Sequence, residues 1–359
     1  MKRLVICCDG TWQKVENPCP SNVVKITQVI KPITTDQIAQ IVFYNEGVGT
    51  EEYLIDKLGG GAFGWGIDHA IQNAYRFLCL NHDPGDEVYL FGFSRGAYTV
   101  RCLAGLIYNA GLLKRQHLRH IPEAYELYRN HDAEASPLSE QAIQFKQQYG
   151  EPIHIRLLAC WDTVGSLGIP DVIPWLGMNL NLNQKYQFLD ATLNPIVLHA
   201  RHAMAVDEIR KVFNICRMED PNGTIDVKER WFPGEHGCVG GGTESTKGLS
   251  NATLQWIMAE AAALGLEFDP EIQMERGWDG TLIDHTTPFN NDPGAYKNLG
   301  TINRGLESKE KVNIQCSIEF DDLDDSVKKR WRDVGNYRPE NLQICCGSLL
   351  DQWARANPL

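Results

Sequence analysis

The chain has 359 residues, 43% hydrophobic and 22% charged, the balance of a soluble globular protein with room for one large α/β domain or two small ones. A formal net charge of −12 with no basic stripe excludes a nucleic-acid binder and simple electrostatic docking on an anionic membrane. Eleven cysteines, with two adjacent pairs (Cys7-Cys8 and Cys345-Cys346), form no disulfide framework and no zinc-finger spacing, which points to a reducing, cytoplasmic setting and no structural zinc.

Leu4 to Cys8 is an apolar run with the length of a buried strand. It opens like a signal peptide, but its apolar part is too short and Asp9 interrupts it. No run approaches the ~20 apolar residues of a transmembrane helix. Asp9-Gly10-Thr11-Trp12 follows at the strand's carboxyl end, the edge where parallel α/β sheets carry functional loops. Asn22 to Ile30 reads as a helix and Ile38 to Tyr44 as a second strand. The glycine-rich run from Gly59 to Gly66 lacks the Lys-Ser/Thr of a P-loop and the dinucleotide fingerprint, so it reads as a flexible connection into a helix from Ile67 to Asn81. Asp83-Pro84-Gly85-Asp86 is a turn that feeds the strand Val88 to Phe91.

Gly92-Phe93-Ser94-Arg95-Gly96 then fits G-x-S-x-G, with small, helix-compatible residues after it. Strand, glycine-flanked serine and helix are the context that gives the motif meaning: a strained turn with the serine oxygen exposed. The Arg95 amide, at the start of the new helix, can face a developing oxyanion, and the Gly10 or Thr11 amide is a second donor. Without chemistry, the same motif is a tight turn. Tyr98 to Leu113 reads as a buried helix, and His117 to Tyr149 as polar and helical.

Ile153 to Trp161 is another strand, ending in Asp162 on the same sheet edge as Ser94, where a triad acid would sit; the alternative for Asp162 is a cap or turn residue. Ile169 to Asn194 is irregular and apolar. Its Trp175, Leu176 and Met178 form either a lid or acyl-binding wall, or a small satellite core. His199 to Val206 reads as helical, and Asp207-Glu208-Ile209-Arg210 as a structural charge pair. The strand near Glu229 to Phe232 ends in a glycine-rich loop holding His236. His236 is the best base in the chain, because the order Ser94, Asp162, His236 is that of α/β-hydrolases; His285 is its main competitor. Leu249 to Leu264 reads as a helix capped by Ser250 or Asn251. The acidic cluster Asp321 to Asp325 lacks EF-hand spacing and reads as a solvated face.

Together these segments resemble a family. Cys8-Asp9-Gly10-Thr11-Trp12, Gly92-Phe93-Ser94-Arg95-Gly96-Ala97, Trp161-Asp162-Thr163-Val164-Gly165-Ser166 and Trp231-Phe232-Pro233-Gly234-Glu235-His236 through Gly242 occur in that order. They resemble an α/β-hydrolase family that includes phospholipase effectors of bacterial type VI secretion, over about Leu4 to Phe268. The resemblance implies a serine hydrolase using Ser94, Asp162 and His236 on esters, lipid and phospholipid esters among them. One position departs: the family often has His-x-Asp-Val-Gly-Gly-Gly, and Cys238 stands where that aspartate would be.

The expected fold is therefore α/β-hydrolase-like, a mostly parallel central sheet with helices on both faces. Residues 1–310 would form the hydrolase domain, with an inserted loop or cap near 165–195, and 311–359 a C-terminal extension packed on it. The expected activity is serine esterase or lipase chemistry without metal or organic cofactor, on a small-molecule or lipid ester. Two rivals are a non-catalytic module with a hydrolase fold, and a metal-dependent phosphoesterase using Asp9, Asp162 and His236.

Overall fold

The computed structural model describes residues 1–47, 62–130, 136–165, 192–269, 282–308 and 314–358. Its centre is a six-stranded sheet: β1 (Arg3–Cys8), β2 (Gln40–Asn45), β3 (Glu87–Phe93), β4 (Ile155–Trp161), β5 (His199–Ala205) and β6 (Asp226–Phe232). The spatial order is β2-β1-β3-β4-β5-β6, and every pair is parallel. With its helical layers this is the α/β-hydrolase fold.

A parallel sheet must be covered on both faces, and the near-continuous apolar runs of β1, β3 and β4 reflect that. In β1 and β3, Leu4, Ile6, Val88 and Leu90 face one side and pack with Ile71 and Leu78 of helix α2 (Ala62–Asn81) and Leu103 and Ile107 of α3 (Arg95–Ala110). Val5, Cys7, Tyr89 and Phe91 face the other side, against Val23 and Ile26 of α1 (Asn22–Val29). The polar stretch after α3 holds α4 (Ile121–Arg129) and α5 (Glu140–Tyr149). Beyond β6 come the short α6 (His236–Gly240), then α7 (Lys247–Ala263), α8 (Asp325–Asp333) and α9 (Glu340–Ala356). Leu254 and Ile257 of α7 join α1 on its face of the sheet.

Residues 314–358 do not stand apart from the sheet. Ile318, Val327, Trp331, Leu342 and Leu350 share one core cluster with Met204 of β5 and Trp231 of β6. A Cys316–Cys345 disulfide ties a short hairpin strand to α9, although the sequence spacing points to no pairing; the other nine cysteines are free. The acidic run is partly structural as well: the Asp324 carboxylate caps α8 by accepting from the Ser326 amide.

Two elements differ from the sequence reading. His199 to Val206 is not a helix; residues 199–205 are strand β5. Its alanines favour a helix locally, but in place they are small residues buried between β4 and β6. Its His202 pairs in register with Glu229 on β6, and Nδ1 lies 2.9 Å from Glu229 Oε1. Helix α7 starts at Lys247 with Thr246 as its cap residue, so Ser250 and Asn251 lie inside it. Their side chains instead accept from the buried Lys25 ammonium, at 3.4 and 2.9 Å.

Candidate active site

The carboxyl ends of β1, β3 and β4 lie side by side, because Cys8 is in register with Gly92 and Gly92 with Cys160. Asp9, Ser94 and Asp162 leave these three strands on one edge. Ser94 has φ 58° and ψ −120°, and α3 begins at the next residue. This left-handed backbone is costly for a side chain with a Cβ and marks a turn held by its surroundings. The flanking glycines are required by close approach. A Cβ on Gly92 would sit 2.5 Å from the Gly96 carbonyl oxygen, and one on Gly96 would sit 2.1 Å from the Cys8 oxygen.

Three side chains meet at this turn. His236 Nε2 lies 2.8 Å from Ser94 Oγ, and His236 Nδ1 lies 2.5 Å from Asp162 Oδ2. All three are buried. An ionised carboxylate only accepts hydrogen bonds. Nδ1 therefore carries the proton and donates to Asp162, and bare Nε2 accepts from the serine hydroxyl. The imidazole ring lies between Phe93 and Phe213, with ring centroids 4.7 and 4.9 Å away. Its backbone is held too: the His236 amide donates to Glu208 Oε2 at 3.1 Å, and the Gly234 amide to Asp207 Oδ2 at 2.6 Å. The charge pair read from Asp207 to Arg210 thus anchors the histidine loop, with Arg210 on Glu208.

Asp162 has a partner that the sequence reading missed. Arg304 donates from Nη1 to Oδ1 at 2.6 Å and from Nη2 to Oδ2 at 3.0 Å. The Ala205 amide adds a bond to Oδ1 at 2.8 Å. Burial alone would push the Asp162 carboxyl up; the Arg304 guanidinium and His236 outweigh it and hold the group well below the usual carboxylate range. Arg304 follows a stretch rich in Pro, Asn, Asp and Gly that carries no local motif. Only the three-dimensional fold brings it to the site.

Asp9 is spoken for in another way. Its carboxylate accepts from the Gly10 amide at 2.7 Å, Ser21 Oγ at 2.7 Å and Tyr44 Oη at 2.8 Å. Gly10, a candidate oxyanion donor, thus turns its N–H to its neighbour's carboxylate, which leaves Thr11 and Arg95 as the amides in question. Asp162, being clamped to a guanidinium, is not a cation ligand, and no cluster of His, Cys, Asp or Glu among the described residues could hold a metal ion. His285 pairs with Asp333 at 2.8 Å instead of approaching Ser94. Cys238 is buried beneath Gly234, and burial pushes its thiol up to about 12. Trp175, Leu176 and Met178 lie outside the described residues.

The family model for the catalytic domain of Tle1-like phospholipase effectors of the type VI secretion system matches residues 2–260. The chain belongs to this family. Ser94, Asp162 and His236 fall inside the match and Arg304 outside it. An uncharacterised protein of Saccharomyces cerevisiae is 23% identical over 75% of this chain, so the likeness is not confined to bacteria; the chain spans 58% of that relative's length. Two solved structures are similar. The Tle1 effector bound to the VgrG spike has 18% identity and a TM-score of 0.37, covering 67% of this chain and 51% of its own. An uncharacterised protein from Pseudomonas aeruginosa has 14% identity and a TM-score of 0.46, covering 100% and 60%. Among the described residues no helix is long and apolar enough to cross a membrane.

Proposed function

We propose that the chain is a serine-type hydrolase of carboxylic esters, with Ser94 as nucleophile, His236 as base and Asp162 as the orienting acid. The observation that carries this reading is the hydrogen-bonded run Ser94 Oγ, His236 Nε2, His236 Nδ1, Asp162 Oδ2 at a strained strand-to-helix turn. Ser94 Oγ attacks the ester carbonyl while Nε2 takes its proton. The carbonyl oxygen, now negative, is met by the Arg95 amide at the open N-terminus of α3 and by the Thr11 amide. The imidazolium, stabilised by Asp162, protonates the leaving alcohol. Water, activated by the same nitrogen, then releases the acyl group and restores the serine. Family membership supports lipid esters, phospholipids included, as the substrate class.

The test is a panel of p-nitrophenyl esters and phospholipids on wild type and Ser94→Ala, with fluorophosphonate labelling of Ser94 beside it. The substitution is expected to lower kcat by about 10³-fold or more, since nucleophile and base act as a unit. Equal turnover by the variant would remove Ser94 from the chemistry.

A further inference from the structure

Arg304 is a buried cation whose two terminal nitrogens make four hydrogen bonds, all to the site or its walls. Its side chain is fully shielded from solvent, as is that of Asp162. Besides holding both carboxylate oxygens, Nη1 donates to the Ala205 carbonyl at 2.8 Å and Nη2 to the Phe213 carbonyl. Phe213 is the residue whose ring stacks on His236. The Arg304 carbonyl is itself pinned by Asn341 of α9 at 3.1 Å, and the same amide reaches the Val206 carbonyl at 2.8 Å.

We propose that Arg304 is a positioning residue of the catalytic apparatus, acting through Asp162 to hold His236 in the tautomer and orientation that Ser94 requires. This rests on the serine-hydrolase reading above. The argument is one of charge and geometry. A carboxylate buried this deeply is disfavoured unless a cation faces it. His236 is neutral when it waits to accept a proton, so it cannot be that cation in the resting site. Arg304 is charged at every stage and keeps Asp162 an acceptor. A protonated Asp162 would donate toward Nδ1, force the other tautomer, and leave Nε2 unable to take the serine proton. The two-point contact also fixes the carboxylate plane: Ala205 and Nη1 occupy Oδ1, so Oδ2 is presented to His236. The residue comes from outside the family-matched segment, so part of the site is supplied by the C-terminal region.

A merely structural ion pair would tie the C-terminal region to the sheet without acting through Asp162, and a double-mutant cycle separates the two. Full-length wild type, Arg304→Met, Asp162→Asn and the double variant are compared on p-nitrophenyl butyrate. Arg304→Met is expected to lower kcat by about 10²-fold with KM within about threefold, and Arg304→Lys to recover at least about tenfold of that loss. In the Asp162→Asn background, removing Arg304 is expected to cost less than about threefold more. Arg304→Met with near-wild-type kcat, Lys no better than Met, or losses that multiply in the double variant would each overturn the proposal. If Arg304→Met does not fold, Arg304→Lys runs the same cycle: a kcat loss of about tenfold that vanishes beside Asp162→Asn supports it, and one that persists in full overturns it. Fluorophosphonate labelling keeps the two readings apart. A wild type that takes no label sinks the serine-hydrolase reading, whereas a labelled wild type with multiplying losses sinks only the role of Arg304.

Discussion

Asp9 and Asp162 leave the two strands that flank β3, on the same edge of the sheet, and both are almost wholly buried. Their surroundings differ in the charge they carry. Asp9 is met by a backbone amide and two hydroxyls, all neutral. Burial, helped by the nearby Glu46 carboxylate, pushes its carboxyl up, those three hydrogen bonds pull it back only in part, and it stands at about 6. Asp162 is met by a guanidinium and an imidazole as well as an amide, and it stays well below the usual range in spite of equal burial. A strand end gives a carboxylate its place, but a counter-charge decides whether it works as an anion. Here that charge arrives from Arg304, 142 residues further along the chain.

The largest expected effect falls on the second carboxylate. Asp162→Asn keeps the shape but no longer fixes the Nδ1–H tautomer, and kcat on a soluble ester is expected to fall by about 10³- to 10⁴-fold. It also leaves the buried Arg304 without its counter-charge, with only the Ala205 and Phe213 carbonyls and one amide oxygen to accept from it, so the thermal midpoint should drop; losing one member of a buried pair costs roughly 3–5 kcal/mol. A variant that keeps kcat within tenfold would break the contrast with Asp9, because Asp162 would then be as passive as its neighbour.

Glu208 sharpens the contrast from the histidine side. It is a third buried carboxylate, and Arg210 holds it below its ordinary range even though burial pushes the other way. It touches only the backbone of His236, not the ring. Glu208→Gln keeps one acceptor oxygen and loses the charge that binds Arg210. The expected outcome is a kcat lower by about tenfold with KM little changed, read in the same ester assay. A loss as large as that for Asp162→Asn would mean that holding the loop matters as much as holding the ring.

Much of this site was legible in the chain because local chemistry writes it. Gly92 and Gly96 must be glycine for β3 to turn into α3 around Ser94, and a turn of that kind leaves its mark in five consecutive residues. Asp162 follows a plain apolar run, and His236 follows the short apolar end, Trp231-Phe232, of a mixed strand and sits among glycines. What could not be read is what depends on distance. The alanines of β5 carry a helix preference that burial between two strands overrides. Ser250 and Asn251 look like caps, yet their side chains serve Lys25 on another helix. Gly10 looks like an oxyanion donor until its amide is seen to face Asp9. Arg304 has no local signal at all, and neither does the pairing of Cys316 with Cys345. The proposed acyl wall at Trp175, Leu176 and Met178 lies outside the described residues.

The smallest expected effect concerns Asp9 and tests the electrostatic half of the comparison. Its folded-state pKa of about 6 lies above the ~3.9 of an unfolded aspartate, so the folded protein binds this proton more tightly. By linkage, the stability contributed by the group is complete below about pH 3.9, declines as pH rises through about 6, and is constant above that. Asp9→Asn cannot titrate. It keeps an oxygen for the Gly10 amide, and the hydroxyls of Ser21 and Tyr44 can rotate to accept from its nitrogen. Groups shifted the other way, such as Asp162, are common to both proteins and cancel in the difference. The midpoint of wild type minus that of Asp9→Asn should therefore be most positive near pH 4 and fall by about 1–3 °C by pH 7. Thermal unfolding of both proteins at pH 4, 5, 6 and 7 reads it directly. A difference that stays flat would mean that Asp9 is not destabilised by ionising, and one that grows with pH would mean that three neutral hydrogen bonds suffice to hold a buried anion. In either case Arg304 would no longer be what sets Asp162 apart.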